Sequence, residues 1–303
     1  MITLIKNTKV YSPAYLGECD VLISGGRIAA IDNNIQVPHE QYVNVVDGKG
    51  QYLVPGFVDT LVHITGGGGE GGFNTRTPEL DLFDAIKAGV TTMIGALGTD
   101  ASTRLLGDLY GKAKALSADG LSCYMYTGSY EVPVKTLMNS VRDDMIFIDP
   151  VIGVGEVAIA DSRGSQPSVA ELARIAADAR VGGMLSGKTG VVMIHVGDGE
   201  EKLSLLHQVC EQYEVSATQF YPTHINRNRD LLSAGVAFAK LGGYLDLTAS
   251  TNEYLMAAGD VRASEALDYL LGQGVPSNQI TFSSDAQGSL PNFDAKGELH
   301  GLD

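Results

Sequence analysis

The first 55 residues carry short runs of β-branched and other apolar residues with turn residues between them. The runs lie at 2–5, 19–24, 27–31 and 42–46. Gly25-Gly26 and Asp47-Gly48 each follow one of these runs and are typical of hairpin turns. A single sheet of this size cannot bury both of its faces. The pattern therefore predicts a small β domain over 1–55 that needs a partner surface.

From residue 56 onward, apolar runs alternate with helical stretches. The predicted strands lie at 56–63, 91–96, 122–127, 152–158, 191–195, 217–223, 244–247 and 280–284. The predicted helices lie at 78–88, 101–119, 135–142, 168–181, 201–213, 229–241 and 263–273. The strands are apolar on both faces, as in parallel strands that helices cover. This alternation predicts an α/β fold, a TIM-like (β/α)8 barrel over 56–303.

The segment after the last predicted strand is short. Only 18 residues follow Asp285, and they are rich in Gly, Asp and Pro. We therefore expect the last helix of the barrel to be absent. We also expect the return strands that would complete a small N-terminal β-sandwich to be absent, which leaves the 1–55 domain incomplete.

Charge and cysteine content narrow the possible partners. Among 303 residues, 21 are Lys or Arg and 36 are Asp or Glu, which gives a net charge of −15. Such an acidic chain has no basic excess with which to bind nucleic acid or an anionic membrane. No apolar run reaches the ~18 residues of a membrane-spanning helix. The three cysteines are scattered, which favours a reducing cytoplasm and argues against a cysteine metal site.

Polar residues stand on or directly after several predicted strands, where such barrels build their active sites. These residues are His63, Glu156, His195, His224 and Asp285. All five offer nitrogen or oxygen ligands suited to zinc or a similar divalent ion. A single histidine at a strand end is more often packed or simply exposed. Three of the six histidines lie at such ends, however, and this coincidence favours a metal site.

Several motifs then reveal a family resemblance. The segment 55–63, PGFVDTLVH, resembles the PGxxDxHxH opening of the amidohydrolase superfamily. Narrower motifs are similar to those of the isoaspartyl dipeptidase (β-aspartyl peptidase) family, namely GGGGEGG at 66–72, RTPE at 76–79, LGTD at 97–100, TGSY at 127–130, YPTHINR at 221–227 and SSDAQGS at 283–289. The resemblance covers nearly the whole chain.

The resemblance implies a two-metal centre of the Zn²⁺ type. His195 and His224 match the ligands of one metal ion, His63 and Asp285 match those of the other, and Glu156 stands at the bridging position. Asp285 matches the general base that later acts as the acid. The resemblance also implies a homo-oligomer that hydrolyses the isopeptide bond of small β-aspartyl dipeptides.

The same resemblance implies substrate contacts. Tyr130 matches the residue that donates a hydrogen bond to the developing oxyanion. The remaining matched positions are Glu70 for the substrate ammonium, Arg163 and Arg227 for its two carboxylates, and Thr99, Ser289 and the backbone of Gly68 for the rest of the pocket. Arginine suits this task because its planar group pairs carboxylates in a bidentate manner.

The chain departs from the family pattern at Leu61, where the family has the first histidine of HxH. Residues i and i+2 of a strand face the same way, so two such histidines reach one metal ion together. Asp59 shares this face, but a rise of ~3.3 Å per residue puts it about 6.6 Å further down the strand. We therefore expect an asymmetric centre in which one metal ion is held less well.

Other interpretations stay open at this stage. The chain could be a different amidohydrolase, a cyclic amidase similar to dihydroorotase or hydantoinase, although the Glu70 loop and the Tyr130 segment argue against this. It could also be a non-catalytic pseudoenzyme or a fragment, because of Leu61 and the short C-terminal segment. Without the resemblance, the glycine run could be only a flexible loop, Arg163 and Arg227 could be surface ion-pair partners, and Tyr130 could be a core aromatic.

Overall fold

A five-stranded sheet forms the N-terminal unit, Met1–Phe57. The computed structural model describes residues 2–37, 39–288, 291–293 and 299–302. The strands of this sheet are β1 (Ile2–Tyr11), β2 (Tyr15–Ser24), β3 (Arg27–Asp32), β4 (Val43–Asp47) and β5 (Tyr52–Leu53). Strand β1 pairs antiparallel with β2 and parallel with β4 and β5. Val10, Cys19 and Val21 form its small buried core.

In the second unit, Val58–Asp303, eight strands alternate with helices in the described part of the chain. They are β6 (Phe57–Val62), β7 (Val90–Gly95), β8 (Ser122–Thr127), β9 (Val151–Ile159), β10 (Val191–Val196), β11 (Phe220–Thr223), β12 (Leu245–Thr248) and β13 (Ile280–Ser283). Strands β6 to β11 lie side by side in chain order, and those from β7 onward pair parallel. Strands β12 and β13 form a second parallel pair. The chain thus has the predicted α/β fold with a curled parallel sheet.

Hydrogen bonds connect the two parallel groups of strands. Buried Asp246 of β12 accepts hydrogen bonds from Thr223 of β11 and Ser283 of β13 at 2.8 and 2.5 Å. Beyond β13, Ala286 forms a parallel bridge with Val62 of β6. The carboxyl end of β6 and the turn after β13 therefore lie together, which brings residues at the two ends of the sequence to one place.

Within the described residues, eight α-helices lie between the strands of the second unit. They are α1 (Leu82–Lys87), α2 (Leu106–Ala118), α3 (Val141–Phe147), α4 (Val169–Ser186), α5 (Ser204–Gln212), α6 (Arg229–Lys240), α7 (Glu253–Ala258) and α8 (Ala263–Gly272). Helix α4 begins at a capping box, in which Ser168 accepts from the Glu171 backbone and Glu171 accepts from Ser168. The main core joins the buried faces of the helices to apolar strand residues such as Val154 and Val192.

The structure corrects the prediction of a helix at 135–142. The helix here is α3, which begins only after Ser140, whose side chain accepts a hydrogen bond from the Asp143 backbone. Buried Asp144 of α3 accepts hydrogen bonds from the backbones of Leu137 and Met138 at 2.9 and 2.7 Å. Those bonds fold the preceding segment around the carboxylate instead of into a helix.

Two further elements were not predicted. The short helix α7 lies between β12 and α8, and an antiparallel pair is formed by β14 (Pro291–Phe293) and β15 (Leu299–Leu302). Within the described ranges, no helix follows β13. Among the same residues, no helix is long and apolar enough to cross a membrane.

Candidate active site

The carboxylate of Glu156, on β9, lies at the centre of a cluster of histidines. Its oxygens are 3.5 Å from Nε2 of His63, 3.4 Å from Nδ1 of His195 and 3.8 Å from Nε2 of His224. The side chain is fully buried, and neither oxygen has a hydrogen-bond partner among the described residues. A buried carboxylate without a partner is costly, and a bound cation would offset this cost. The centre therefore fits a divalent metal ion.

Three of these side chains form the most compact group of ligands. Ligand atoms of Glu156, His195 and His224 all lie within 4.8 Å of one another, and no other such group occurs in the described part of the chain. Burial lowers the pKa of His224 to about 4, with Arg227 and His195 adding to the effect. The imidazole is thus neutral, which is the form that binds metal ions. Its Nδ1 lies 2.6 Å from Oγ1 of Thr248, which orients Nε2 toward the cluster.

His63 occupies the opposite side of the Glu156 carboxylate and pairs with Asp285. Its Nε2 atom is 3.1 Å from Oδ1 of Asp285. Burial alone would lower the pKa of His63, but the hydrogen bond with Asp285 and the charges of Glu156 and Asp285 raise it to about 9. The imidazole of His63 is therefore protonated at neutral pH, whereas that of His224 is not. The side of the centre with His224 can therefore bind a cation directly, whereas the side with His63 must first lose a proton.

Leu61 adds to this difference. Its side chain is fully buried and packs in an apolar cluster with Ile94, Ala96, Tyr126 and Met193. A leucine side chain offers no lone pair at this position, where the sequence resemblance implies a histidine. Among the matched residues, His63 and Asp285 are therefore the side chains left, besides Glu156, to serve a second ion.

Tyr130 lies beside the compact ligand group. Its hydroxyl is 2.6 Å from Nδ1 of His195, and the Arg163 guanidinium lies over its ring, 5.6 Å from the centroid. Burial raises the pKa of Tyr130 well above its ordinary value, and the charge of Glu156 raises it further. The hydroxyl therefore keeps its proton and is able to donate a hydrogen bond.

Asp161 is a member of the site that sequence reasoning missed. Its Oδ1 and Oδ2 accept hydrogen bonds from Nε and Nη2 of Arg163 at 3.0 and 2.7 Å, and Oδ2 lies 3.0 Å from Nε2 of His195. Burial alone would raise its pKa, but His195 and Arg163 hold the pKa of Asp161 well below the usual range. The available signal in the sequence was the position of Asp161, two residues before Arg163.

The proposed substrate contacts border two cavities. Oε1 of Glu70 accepts a hydrogen bond from Thr99 at 2.7 Å and lies 3.5 Å from Nη1 of Arg163. A small cavity of about 40 Å³ is lined by these residues together with Gly68, Tyr130, His195, Arg227, His63 and Asp285. A larger one of about 640 Å³ is lined in part by Arg163, His224, Arg227, Asp285, Leu255 and Asp260. Ser289 lies outside the described residues.

Two glycines lie against the His63 ring. A Cβ atom on Gly98 would come within 2.9 Å of Cε1 of His63. A Cβ atom on Gly288 would come within 2.7 Å of Cδ2 of His63 and of Oδ1 of Asp285. Real Cβ contacts are not this short, so the ring keeps its position only because both residues lack a side chain.

Comparison with known proteins identifies the family. No family model matches the chain. The crystal structure of the β-aspartyl dipeptidase from Fervidobacterium islandicum AW-1 in complex with β-Asp-Leu dipeptide matches it with a TM-score of 0.90 and 46% identity, over 100% of this chain and 77% of that one. The chain belongs to the β-aspartyl dipeptidase family. As a member of that family it is related to enzymes of the amidohydrolase superfamily.

More distant similarities extend to other enzymes. The crystal structure of a D-hydantoinase matches with a TM-score of 0.61 and 15% identity, over 94% of this chain and 68% of that one, which is a likeness of fold alone. A dihydroorotase from Staphylococcus epidermidis is 37% identical over 90 residues, a match of 30% of this chain and 20% of that enzyme. The match thus spans about a fifth of the dihydroorotase, whereas the β-aspartyl dipeptidase is matched over most of its length.

Proposed function

We propose that this member of the β-aspartyl dipeptidase family hydrolyses the isopeptide bond of β-aspartyl dipeptides. One observation carries the proposal. The small cavity has the carboxylate of Glu70 and the guanidinium groups of Arg163 and Arg227 in its walls, and His195 of the compact ligand group also lines it. This set of charges complements a dipeptide that bears one ammonium group and two carboxylates.

The charges suggest how such a substrate binds. An isoaspartyl dipeptide has an α-amino group and an α-carboxylate on its first residue, and a carboxylate at its C-terminus. Glu70 would bind the ammonium group, and Arg163 and Arg227 would bind the carboxylates, since guanidinium groups pair carboxylates in a bidentate manner. Thr99 and Gly68 line the same small cavity and would also contact the substrate, and the family resemblance adds Ser289 to this set. The larger cavity, next to Asp285 and His224, would then receive the second residue of the dipeptide.

The chemistry follows from the residue types around the scissile bond. A divalent cation held by Glu156, His195 and His224 would supply a hydroxide nucleophile at neutral pH and polarise the carbonyl. Asp285 accepts the proton of the attacking water and later gives it to the leaving amine. Tyr130 donates a hydrogen bond to the carbonyl oxygen as negative charge develops there. His63 holds the Asp285 carboxylate toward the centre.

The asymmetry of the centre leads to a proposed stoichiometry of one tightly held Zn²⁺ per chain. The Glu156, His195 and His224 group has the nitrogen and oxygen donors of a catalytic zinc site. The opposite half lacks a ligand at Leu61, and His63 must lose a proton before it binds a cation. The proposal also includes a TIM-like (β/α)8 barrel, a homo-oligomeric assembly and a cytoplasmic location. The three free cysteines favour this location.

The test is hydrolysis of β-Asp-Leu by the purified chain, with α-Asp-Leu and dihydroorotate as alternative substrates and elemental analysis of the same sample. We expect release of aspartate and leucine from β-Asp-Leu alone. Turnover of dihydroorotate without turnover of β-Asp-Leu would support a cyclic amidase instead. A chain that binds zinc but cleaves none of the three compounds would support the pseudoenzyme interpretation.

A further inference from the structure

Asp59 has a buried carboxylate that the proposed chemistry does not use. It lies on β6, two residues before Leu61, and both of its oxygens face Ser284. Oδ2 accepts a hydrogen bond from the Ser284 hydroxyl at 2.5 Å, and Oδ1 accepts one from the Ser284 backbone at 3.0 Å. Ser284 directly precedes Asp285. A carboxylate at the first strand of the sheet is thus bound to the segment that carries the proposed general base.

Further bonds join the same two segments. The Asp285 backbone donates to the carbonyl of Leu61 at 3.1 Å, and the His63 backbone donates to the carbonyl of Ala286 at 2.9 Å. The Ser284 hydroxyl in turn accepts from the Ala286 backbone at 3.0 Å. Alternate residues of the β6 segment therefore hold three successive residues after β13. Leu61 and His63 bond through their backbones, whereas Asp59 bonds through its side chain.

The backbone at Asp285 explains why such support is needed. Its φ angle is 53°, in the left-handed region that residues other than glycine adopt infrequently. A conformation of this kind persists where the surrounding contacts impose it. The side chain that emerges from it reaches Nε2 of His63. Loss of the bonds to Ser284 would let the turn relax and move the Asp285 carboxylate away from the centre.

We propose that Asp59 is a positioning residue, which acts through Ser284 to fix the turn at Asp285 and so aims the general base at the scissile bond. The proposal rests on the proposed function for its kinetic readout but not for its structural one. An active-site group displaced by about 1 Å commonly costs about 100-fold in rate. Glu70, Arg163 and Arg227, which would bind the charged groups of the substrate, lie outside this turn. The effect should therefore appear in kcat and not in KM.

The experiment compares neighbouring serines of the zinc-loaded protein. Ser284→Ala removes the hydroxyl bound by Asp59, whereas Ser283→Ala removes an equally short bond, 2.5 Å, to Asp246. We expect Ser284→Ala to lower kcat for β-Asp-Leu by 10- to 100-fold with KM within about 3-fold. Ser283→Ala should keep the wild-type kcat. Ser284→Thr retains a hydroxyl at a half-buried position and should recover most of the lost rate.

Amide hydrogen exchange gives a readout that needs no turnover. The amides of peptides that contain Asp285 and Ala286 should exchange at least 10-fold faster in Ser284→Ala and Asp59→Ala than in the wild type. Their exchange rate should not change in Ser283→Ala. Wild-type kcat and wild-type exchange in Ser284→Ala would overturn the proposal. If the wild-type protein does not cleave β-Asp-Leu, the proposed function fails while the exchange result still decides the role of Asp59. If Asp59→Ala does not fold, the serine variants decide it.

Discussion

Nε2 of His63 lies 3.1 Å from Oδ1 of Asp285, although 222 positions of sequence separate the two residues. The contact exists because the turn after β13 is bonded to the end of β6. Asp285 and Glu156 raise the pKa of His63 to about 9, although burial alone would lower it. In the absence of a bound cation, this pair is a source of pH-dependent stability.

The metal-free protein should lose stability as the pH rises from 6.5 to 9. The folded chain binds the His63 proton more tightly than the unfolded chain, so this contribution is complete below pH 6.5 and is lost as pH rises through 9. The loss amounts to at most about 3 kcal/mol in the free energy of unfolding. Urea unfolding in chelator at several pH values measures it. His63→Gln should flatten the profile, and parallel profiles for the two proteins would contradict the prediction.

Leu61→His should raise the zinc content from one ion per chain toward two. The new imidazole would stand two residues before His63 on the same face of β6 and supply the ligand that leucine lacks. Because Leu61 is fully buried among apolar side chains, the metal-free variant should be about 1–3 kcal/mol less stable. Elemental analysis and unfolding in chelator check both effects. Leu61→Met is the matched control and should keep one ion; equal zinc content in all three proteins would refute the prediction.

Tyr130→Phe should lower kcat for β-Asp-Leu by about 100- to 1,000-fold, because it removes a donor directed at the developing oxyanion. Zinc content should not change, since no ligand is lost. Steady-state kinetics and elemental analysis measure the two quantities. Tyr126→Phe removes another buried hydroxyl, which donates to the Thr60 carbonyl at 3.2 Å, and serves as the control. An equal loss of rate in both variants would point to a general structural effect.

Asp161→Asn should raise KM for β-Asp-Leu by about 10-fold. The carboxylate holds the Arg163 guanidinium with two charged hydrogen bonds, each of which contributes about 1.5–3 kcal/mol. Without them Arg163 would no longer be fixed for the substrate carboxylate. Initial-rate kinetics over a range of substrate concentrations gives the result. Asp178→Asn breaks an exposed pair with Arg142 and should leave KM unchanged.

Substrate preference should change with pH through Asp260. Burial raises the pKa of this carboxyl to about 6, and nearby Arg227 opposes the shift. Asp260 lines the larger cavity and gains its negative charge between pH 5 and 7, so kcat/KM for β-Asp-Lys relative to β-Asp-Leu should rise about 2- to 5-fold over that range. Competition assays at each pH measure the ratio. The rise should vanish in Asp260→Asn and persist in Asp230→Asn, whose carboxyl is exposed; a rise in both would contradict the prediction.

Much of the strand order could be predicted from the sequence, because a helix-covered parallel strand is a continuous apolar run. The positions of His195 and His224 at strand ends follow from that pattern. The helix predicted at 135–142 was wrong because Asp144 binds the backbone of the segment before it, and a local pattern does not contain such a contact. Helix α7 was not predicted because its six residues are too few to show a helical pattern of apolar positions.

The acidic residues around the site show where sequence reasoning ends. Asp161 lies 34 positions from His195, and Asp59 lies 225 positions from Ser284. Asp161 stands two residues before Arg163, and Asp59 is the acid of the PGxxDxHxH motif, but neither local pattern identifies the residue that each acid contacts. Only the folded backbone brings their partners near. Leu61, by contrast, was visible at once, because it interrupts a motif.

The bare backbone at Gly98 and Gly288 has a consequence for how this protein can evolve. Because each residue lacks a side chain, the His63 ring fits beside it, and even the methyl group of alanine would clash with the ring. A saturation-mutagenesis library selected for activity should therefore recover glycine almost alone at both positions. Heritable variation in this part of the protein is thus constrained most tightly at residues that contribute no functional group.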